Sequence, residues 1–204
     1  MVRIDHFKGL EYYYSIPSYC DNARFGRWIK APGEALFDTI KKELGNVDII
    51  LEDLGVMTQE VLNLRDHTGY PGMKIFESAF FDTMENPNLP HNCYENSVIY
   101  IGTHDNDTVL GWIRNSSDYV RSFAMSYVDA HNEYEFAWKC IDKVMGSACK
   151  LSIIQMQDFT GLGSEARMNI PGTSNGNWEM RMREDFMSED LAQRIYNVTK
   201  KNNR

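Results

Sequence analysis

Short apolar runs that end at an acidic residue alternate along this chain with segments of helical periodicity. Val2–Asp5 is typical of the end of a strand, and Val47–Leu51 is a nearly continuous apolar run that Glu52 follows. Runs of this kind indicate strands that are buried on both faces of a parallel sheet. Their alternation with helices favours βαβ units, so the sequence predicts an α/β fold with a parallel sheet.

The remaining elements are predicted from periodicity and from capping residues. Helices are expected at Gly33–Leu44, between Thr58 and Gly69, and at Thr108–Ile113, Asp118–Ala130, Glu133–Met145 and Ser188–Val198. Further strands are expected at Met73–Phe76, Ser97–Gly102 and Leu151–Met156. The segments 6–32, 86–96 and 161–177 are predicted to be connections.

The composition excludes several classes of partner. The chain has 29 acidic and 21 basic residues and a net charge of −8, whereas nucleic-acid binding needs clustered Lys and Arg. No apolar run approaches the roughly 20 residues of a membrane span, and Met1–Asp5 is not a signal peptide, so no membrane partner is expected. The four cysteines form no C-x-x-C pair, which favours reduced thiols and a cytoplasmic location. They are Cys20, Cys93, Cys140 and Cys149.

Three acidic residues each follow an apolar strand: Asp5, Glu52 and Asp105. In a parallel barrel, catalytic side chains gather where the strands end and the loops to the next helices begin. One helix is predicted between the first two acids, and a helix, a strand and a loop are predicted between the second and the third. The strands are therefore expected in the order n, n+1 and n+3. Neighbouring strands can hold two carboxylates at the separation of about 5–5.5 Å that a retaining glycosidase needs.

The neighbours of these acids favour different protonation states. Arg3 lies two residues before Asp5, so both side chains share one face of the strand, and the guanidinium is expected to keep Asp5 ionised and oriented. Asp53 follows Glu52, and its like charge is expected to help raise the pKa of Glu52 toward that of a general acid. Acids at strand ends also commonly cap the next helix or lie in solvent, so position alone leaves a structural role open.

Local motifs carry a resemblance to a known family. They lie around the three acids and along the rest of the chain, at Arg3–Gly9, Gly26–Trp28, Pro32–Phe37, Glu52–Gly55, Pro71–Lys74, Glu85–Pro87, Leu89–Asn92, Gly102–Thr108, Leu162–Asn169, Pro171–Gly172 and Asn177–Trp178. In this order they resemble the 4-α-glucanotransferases, also called amylomaltases or disproportionating enzymes. The combination of motifs, and no single one of them, makes the resemblance specific.

The resemblance implies an α-amylase-related (β/α)8 barrel and a role for each acid. Asp5 matches the nucleophile after strand four, Glu52 the general acid/base after strand five, and Asp105 the acid after strand seven that binds and distorts the reacting sugar. Double displacement would then transfer segments of α-1,4-glucans and maltooligosaccharides, with glucose as an acceptor. The resemblance implies no metal and no organic cofactor. Substrate-binding positions are expected at Arg3, His6, Asp53, Asp82, His104 and Asn169.

The resemblance assigns a strand number to each acid, and these numbers predict how much of the barrel this chain contains. If Asp5 ends strand four, residues 1–204 are the C-terminal half of a (β/α)8 TIM barrel, strands four to eight with their helices, and the N-terminal half is absent. Such a half-barrel exposes two sheet edges, which predicts a homo-oligomer or another contact that covers them. Two alternatives remain open: an amylase-type α-glucan hydrolase, which would use the same three acids, and a catalytically inactive half-barrel fragment.

Two further features bear on contact with the substrate. The aromatic-rich connection is suited to stacking on sugar faces, but it is equally typical of a loop that packs over a barrel. Its rings are Tyr12, Tyr13, Tyr14, Tyr19, Phe25 and Trp28. Ser78 stands where the family often has an aromatic residue that faces the sugars, and Phe81 is a local change ahead of Asp82. These departures are expected to alter acceptor preference and to leave the reaction type unchanged.

Overall fold

The computed structural model describes residues 1–204, and the chain divides into two compact units, Met1–Met73 and Lys74–Arg204. The strands are β1 (Val2–Ile4), β2 (Tyr12–Ser15), β3 (Arg27–Lys30), β4 (Ile49–Leu51), β5 (Gly72–Ile75), β6 (Ser97–Tyr100) and β7 (Leu151–Ile153). The helices are α1 (Gly33–Leu44), α2 (Gln59–Thr68), α3 (Val109–Asn115), α4 (Asp118–Val128), α5 (Glu133–Met145), α6 (Met156–Phe159) and α7 (Glu189–Lys201). None of these helices combines the length and the apolar character needed to span a bilayer.

Five of the strands form one sheet in the order β1–β4–β5–β6–β7. The pairs β1–β4, β4–β5 and β6–β7 are parallel. The predicted parallel α/β architecture is therefore confirmed, and one strand separates β4 from β6 as the order n, n+1 and n+3 requires. The strand predicted at Leu151–Met156 is shorter than expected, because the chain turns into α6 at Met156.

The first unit buries an apolar cluster that its strands and helices α1 and α2 share. The buried members are Phe7, Phe37, Ile49, Leu51, Val61 and Leu64. Full burial of a side chain of this size typically contributes about 1.5–3 kcal/mol. Helix α2 begins at the predicted cap, where the Thr58 hydroxyl accepts a hydrogen bond from the Val61 N–H. It ends at Gly69, which takes the left-handed conformation that glycine adopts without strain.

The segment 6–32, predicted as a connection, contains the antiparallel hairpin β2–β3. Tyr14 pairs with Trp28 across the strands, with ring centroids 5.2 Å apart, and Tyr12 pairs with Lys30. Cross-strand pairs of this kind stabilise a sheet. Because residues two apart share a face, Tyr12, Tyr14 and Trp28 lie on one face of the hairpin, and all three rings are exposed. A run of three tyrosines has no polar–apolar alternation, which is why the sequence pattern did not predict these strands.

The second unit holds the larger apolar core, in which helices α3, α4 and α5 contact one another. At its centre the fully buried Phe80 ring has aromatic neighbours with ring centroids 4.9 to 5.7 Å away: Phe76, Trp112, Phe123 and Tyr127. These separations fall in the range that favours edge-to-face and tilted packing. The core of this unit therefore depends on interlocking rings as well as on aliphatic burial.

Capping side chains set the starts of the helices in the second unit. The Thr108 hydroxyl accepts from the Gly111 N–H at 3.1 Å, and the Ser188 hydroxyl accepts from the Leu191 N–H at 3.2 Å. Helices α3 and α7 therefore begin one residue later than predicted and extend two and three residues further. Helix α5 has the bounds that periodicity predicted.

The adjacent pair Phe80 and Phe81 tests this core. Phe80→Ala removes a fully buried ring and is expected to lower the free energy of unfolding by about 3–5 kcal/mol. Phe81→Ala removes the same atoms from a ring that is 70% exposed and is expected to change it by about 0.5 kcal/mol or less. Urea denaturation followed by tryptophan fluorescence measures both values. Equal losses of unfolding free energy in the two variants would contradict the burial of Phe80 in this core.

Candidate active site

Asp5 and Glu52 follow two strands that pair in parallel. Ile4, the last residue of β1, lies opposite Leu51, the last residue of β4. The backbone extends this pairing by one step, because the Glu52 N–H donates to the Ile4 carbonyl and the Phe7 N–H donates to the Glu52 carbonyl. The two acids therefore leave the same edge of the sheet, as the strand order predicted.

His6 joins the two strand ends through its backbone. It takes a left-handed conformation with a φ of 48°, which is uncommon for a residue with a side chain. Its N–H donates to Glu52 Oε2 over 2.6 Å. This short hydrogen bond fixes the orientation of the Glu52 carboxyl group. The sequence indicated a sugar contact for the His6 ring, which stays a prediction, and gave no sign of this backbone role.

Arg3 holds the Asp5 carboxylate. Arg3 Nη2 lies 2.8 Å from Asp5 Oδ1, as their positions two residues apart on one strand face predicted. Arg3 Nε lies 3.3 Å from Met73 Sδ, which fixes the other edge of the guanidinium. The Asp5 side chain is 73% exposed, so it keeps contact with water as well as with the guanidinium. An exposed, cation-paired carboxylate of this kind is suited to act as a nucleophile.

Glu52 is partly buried, and burial raises its pKa. The His6 N–H lowers the pKa, the nearby Asp5 charge raises it, and the Arg3 guanidinium lowers it. The expectation that Asp53 raises the Glu52 pKa is wrong, since the like charge that acts on Glu52 is Asp5. A carboxyl group whose pKa is raised is suited to the role of general acid.

Asp53 points into the protein instead and binds two other elements. Its Oδ2 accepts from Arg65 Nη1 at 3.1 Å, and its Oδ1 accepts from the Met73 N–H at 2.6 Å. The carboxylate fills the space beside Gly72, where a Cβ would lie 2.3 Å from Asp53 Oδ2. Only 3% of the Asp53 side chain is exposed. Asp53 therefore fixes α2 and the start of β5 to the end of β4, and its sugar contact stays a prediction.

The third acid lies in the second unit, in the loop between β6 and α3. Asp105 Oδ1 accepts from Asn169 Nδ2 at 2.6 Å and lies 3.4 Å from His104 Nε2. The structure thus brings together three residues that the sequence predicted separately. Arg167, which was not predicted, donates from Nη2 to the Asp105 carbonyl at 2.6 Å. The Leu162–Asn169 motif contained Arg167, but nothing in it indicated which side chain would reach Asp105.

Side-chain hydrogen bonds hold this loop in one conformation. Asn106 Oδ1 accepts from the Thr103 N–H at 2.9 Å and from the Thr103 hydroxyl at 3.0 Å. Gln155 Nε2 lies 3.3 Å from the Gly102 carbonyl oxygen and 3.2 Å from that of Thr103. A Cβ at Gly102 would lie 2.8 Å from the Asn106 Cβ, so this position needs glycine. A loop with these fixed partners holds Asp105 ready for a ligand.

A cavity of about 460 Å³ lies beside Asp105 in this unit, and Phe81, Trp112 and Arg167 line part of it. Rings next to charged and hydroxyl groups suit a ligand that has apolar faces and polar edges. Asp82, predicted to bind substrate, lies on an exposed bend outside this lining, and its sugar contact stays a prediction. No group of three or more His, Cys, Asp and Glu side chains is placed to hold a metal ion.

Comparison with known proteins identifies the family of this chain. A family model described as 4-alpha-glucanotransferase matches residues 1–187. The chain belongs to the 4-alpha-glucanotransferase family. Relatives with that name are 46% identical over 202 residues in Thermus thermophilus and 43% identical over 201 residues in Clostridium butyricum. The matches cover 96% and 98% of this chain but only 40% and 41% of the relatives, so the chain spans about two fifths of their length.

Two solved structures share the fold. The amylomaltase from Streptococcus agalactiae in complex with acarbose gives a TM-score of 0.93 at 37% identity, over 99% of this chain and 41% of that one. The amylomaltase from Corynebacterium glutamicum gives a TM-score of 0.76 over 97% and 35%, and at 18% identity it shows the fold alone. The resemblance to amylomaltases that the sequence motifs indicated is therefore confirmed.

Two further carboxyl groups of the second unit, Glu77 and Asp158, are buried and were not predicted. Each has one oxygen without a hydrogen-bond partner, Glu77 Oε1 and Asp158 Oδ2. Burial raises the pKa of both groups, that of Asp158 to about 7, and Asp158 raises the pKa of Glu77 further. The Val109 N–H donates to Asp158 Oδ1 at 2.8 Å, at the start of α3. Because an unpaired buried charge is costly, the protonated form of these carboxyls is favoured.

Asp158 should make the stability of the chain depend on pH. Its pKa is about 7 in the folded state and about 3.9 in an unfolded chain. The folded state binds more protons between these values, so stability that is fully present below about pH 4 is lost as the pH rises through about 7. Asp158→Asn removes the titration and is expected to flatten this decline in the midpoint of thermal unfolding. The exposed Asp21→Asn is the control, and an equally steep decline in both variants would contradict the assignment.

Proposed function

We propose that this chain provides the nucleophile and the acid/base of a 4-α-glucanotransferase, which transfers α-1,4-glucan segments between maltooligosaccharides. The observation that carries the proposal is the arrangement at the paired strand ends, where an ion-paired Asp5 lies near a partly buried Glu52 of raised pKa. Two carboxyls in unlike environments are what a retaining glycosidase mechanism requires. Membership of the family supports the same activity.

Each step of the double displacement uses one of these two groups. Asp5, ionised and held by Arg3, attacks the anomeric carbon while Glu52 donates its proton to the leaving glycosidic oxygen. The glycosidic bond breaks, and an ester bond to Asp5 forms. In the second step Glu52, now ionised, accepts the proton of an acceptor hydroxyl, whose oxygen displaces Asp5. The product keeps its configuration, and glucose or a maltooligosaccharide serves as the acceptor.

The group of His104, Asp105 and Asn169 is proposed to bind the hydroxyls of the reacting sugar. Together these side chains offer N–H donors and a carboxylate acceptor, which match the hydrogen-bonding capacity of a sugar. Their contacts with one another support this role, because they orient the group before a ligand binds. Arg167 acts as a positioning residue through the backbone of Asp105.

We further propose that β1, β4, β5, β6 and β7 are strands four to eight of a (β/α)8 barrel, so that residues 1–204 correspond to its C-terminal half. The strand order and the acids that follow β1, β4 and β6 support this assignment. The outer strands of the sheet are β1 and β7, and pairing through these edges is the proposed route to a homo-oligomer. Four free cysteines fit a cytoplasmic location.

Hydrolysis is the second candidate function, and one observation favours it. The Asp5 side chain is largely exposed, so water has access to the atom that would carry the glycosyl ester. A transferase must keep water away from that ester until an acceptor sugar arrives. The two functions share their residues and differ in the second step alone.

The products formed from maltotriose distinguish these possibilities. A transferase is expected to give glucose together with oligomers longer than maltotriose, whereas a hydrolase gives glucose and maltose. Asp5→Asn and Glu52→Gln are each expected to lower the rate by roughly 10³-fold. Asp48→Asn removes an exposed carboxylate next to the start of β4 and is the matched control.

Chromatography of the products at several times measures both the pattern and the rate. If glucose and maltose are the only products, the chain is a hydrolase and the proposed transfer is wrong. No product from the wild-type chain would favour a catalytically inactive fragment. Equal rates for the control and for Asp5→Asn would contradict the role of Asp5.

A further inference from the structure

Two of the four cysteines, Cys93 and Cys149, meet in the second unit although they are far apart in sequence. Cys149 lies just before β7, and Cys93 lies a few residues before β6. The Lys150 N–H lies 2.9 Å from the Glu95 carbonyl oxygen and 3.0 Å from that of Ser97, so the two segments run side by side. Cys93 packs against the apolar core cluster that contains Cys149, and both thiols are free.

The surroundings of this pair favour a thiolate. The hydrogen bond from Cys93 lowers the pKa of Cys149 to about 6 against the opposing effect of burial. Ser97 Oγ lies 3.1 Å from Cys149 Sγ, and Arg204 Nη2 donates to the Cys149 carbonyl at 2.7 Å, which brings a positive charge close to the sulfur. A second cation, Lys74, acts on Cys93. A disulfide forms when a thiolate attacks an oxidised sulfur nearby, so a lowered pKa at Cys149 favours the reaction with Cys93.

The other two cysteines lack this combination. Cys140 is fully buried in the apolar core, and burial raises the pKa of its thiol well above the usual range. Cys20 is partly exposed but lies in the first unit. Cys93, in contrast, is partly exposed and Cys149 is buried, so a small oxidant reaches the pair through Cys93.

We propose that Cys93 and Cys149 form a reversible disulfide when the chain meets a peroxide. The Cys149 thiolate attacks one oxygen of hydrogen peroxide. This step gives a sulfenic acid and releases the other oxygen as water after protonation. The second thiol attacks the sulfenic sulfur, so that the S–S bond forms and a second water leaves. Two thiols and one peroxide thus give one disulfide and two waters, with the sulfurs oxidised and the peroxide oxygens reduced. A dithiol reductant reverses the reaction.

The bond would join the segment before β6 to the segment before β7. Both lie at the strand starts, whereas the Asp105 loop follows the other end of β6. The expected consequence is therefore a change in stability, since a cross-link between distant residues restricts the unfolded chain.

The test treats the folded wild-type chain with a small excess of hydrogen peroxide, then unfolds and alkylates it for mass spectrometry. The peptides that contain Cys93 and Cys149 are expected to be joined, with the loss of two hydrogen atoms in mass. Two of the four thiols should remain open to alkylation, and dithiothreitol should restore all four. The oxidised chain is expected to unfold at a higher temperature than the reduced chain.

Two variants and one condition serve as controls. Cys93→Ser keeps a small polar side chain at a partly exposed position and is expected to abolish both the link and the change in unfolding temperature. Cys20→Ser removes a thiol outside the pair and should leave both unchanged. Four alkylatable thiols after treatment, or either cysteine of the pair oxidised to a sulfinic acid without a link, would overturn the proposal. The same link formed equally fast in denaturant would also overturn it, because the folded geometry would then play no part.

Discussion

The hydrogen bond from the His6 N–H to Glu52 links the ends of two parallel strands, and the geometry of the first unit's acids depends on it. Parallel pairing alone brings the strand ends together, but it leaves the two carboxyl side chains free to turn away. The left-handed backbone at His6 costs on the order of 1–3 kcal/mol. The hydrogen bond of 2.6 Å to Glu52 offsets part of that cost and holds the carboxyl group in place.

Glu52 and Asp53 show how the surroundings of a carboxyl group determine its role. Successive residues at a strand end face opposite sides of the sheet, so these neighbours enter different environments. Asp53 is buried, and a guanidinium and a backbone N–H bind its two oxygens. Glu52 is buried in part and lies near the like charge of Asp5, so its pKa is raised. Asp158 extends the comparison, since it is buried without a cation and its pKa rises to about 7.

The sequence predicted those features that depend on local pattern. Apolar runs followed by acids predicted the parallel strands and their order, and the two-residue period of a strand predicted the contact between Arg3 and Asp5. Motifs spread over the whole chain predicted the family. Each of these signals is a short run of neighbouring residues, which is why it can be recognised without a structure.

The features that were missed depend on residues far apart in sequence. The β2–β3 hairpin lacks polar–apolar alternation and is held by pairs such as Tyr14 and Trp28. Arg167 reaches the Asp105 backbone from another loop, and the charge of Asp158 acts on Glu77 only in the folded chain. No local pattern records such contacts.

The pKa of Glu52 shows whether the paired strand ends hold two carboxyl groups in unlike environments. The ¹³C resonance of its carboxyl group can be followed by NMR against pH, with Glu52→Gln to assign the signal. The wild-type value is expected above the ordinary glutamate value of about 4.3, because burial and the Asp5 charge both disfavour ionisation. In Asp5→Asn it is expected to fall, since the repulsion is lost. If the wild-type Glu52 titrates at the ordinary value and its pKa is unchanged in Asp5→Asn, Glu52 is not the general acid that Asp5 and burial create.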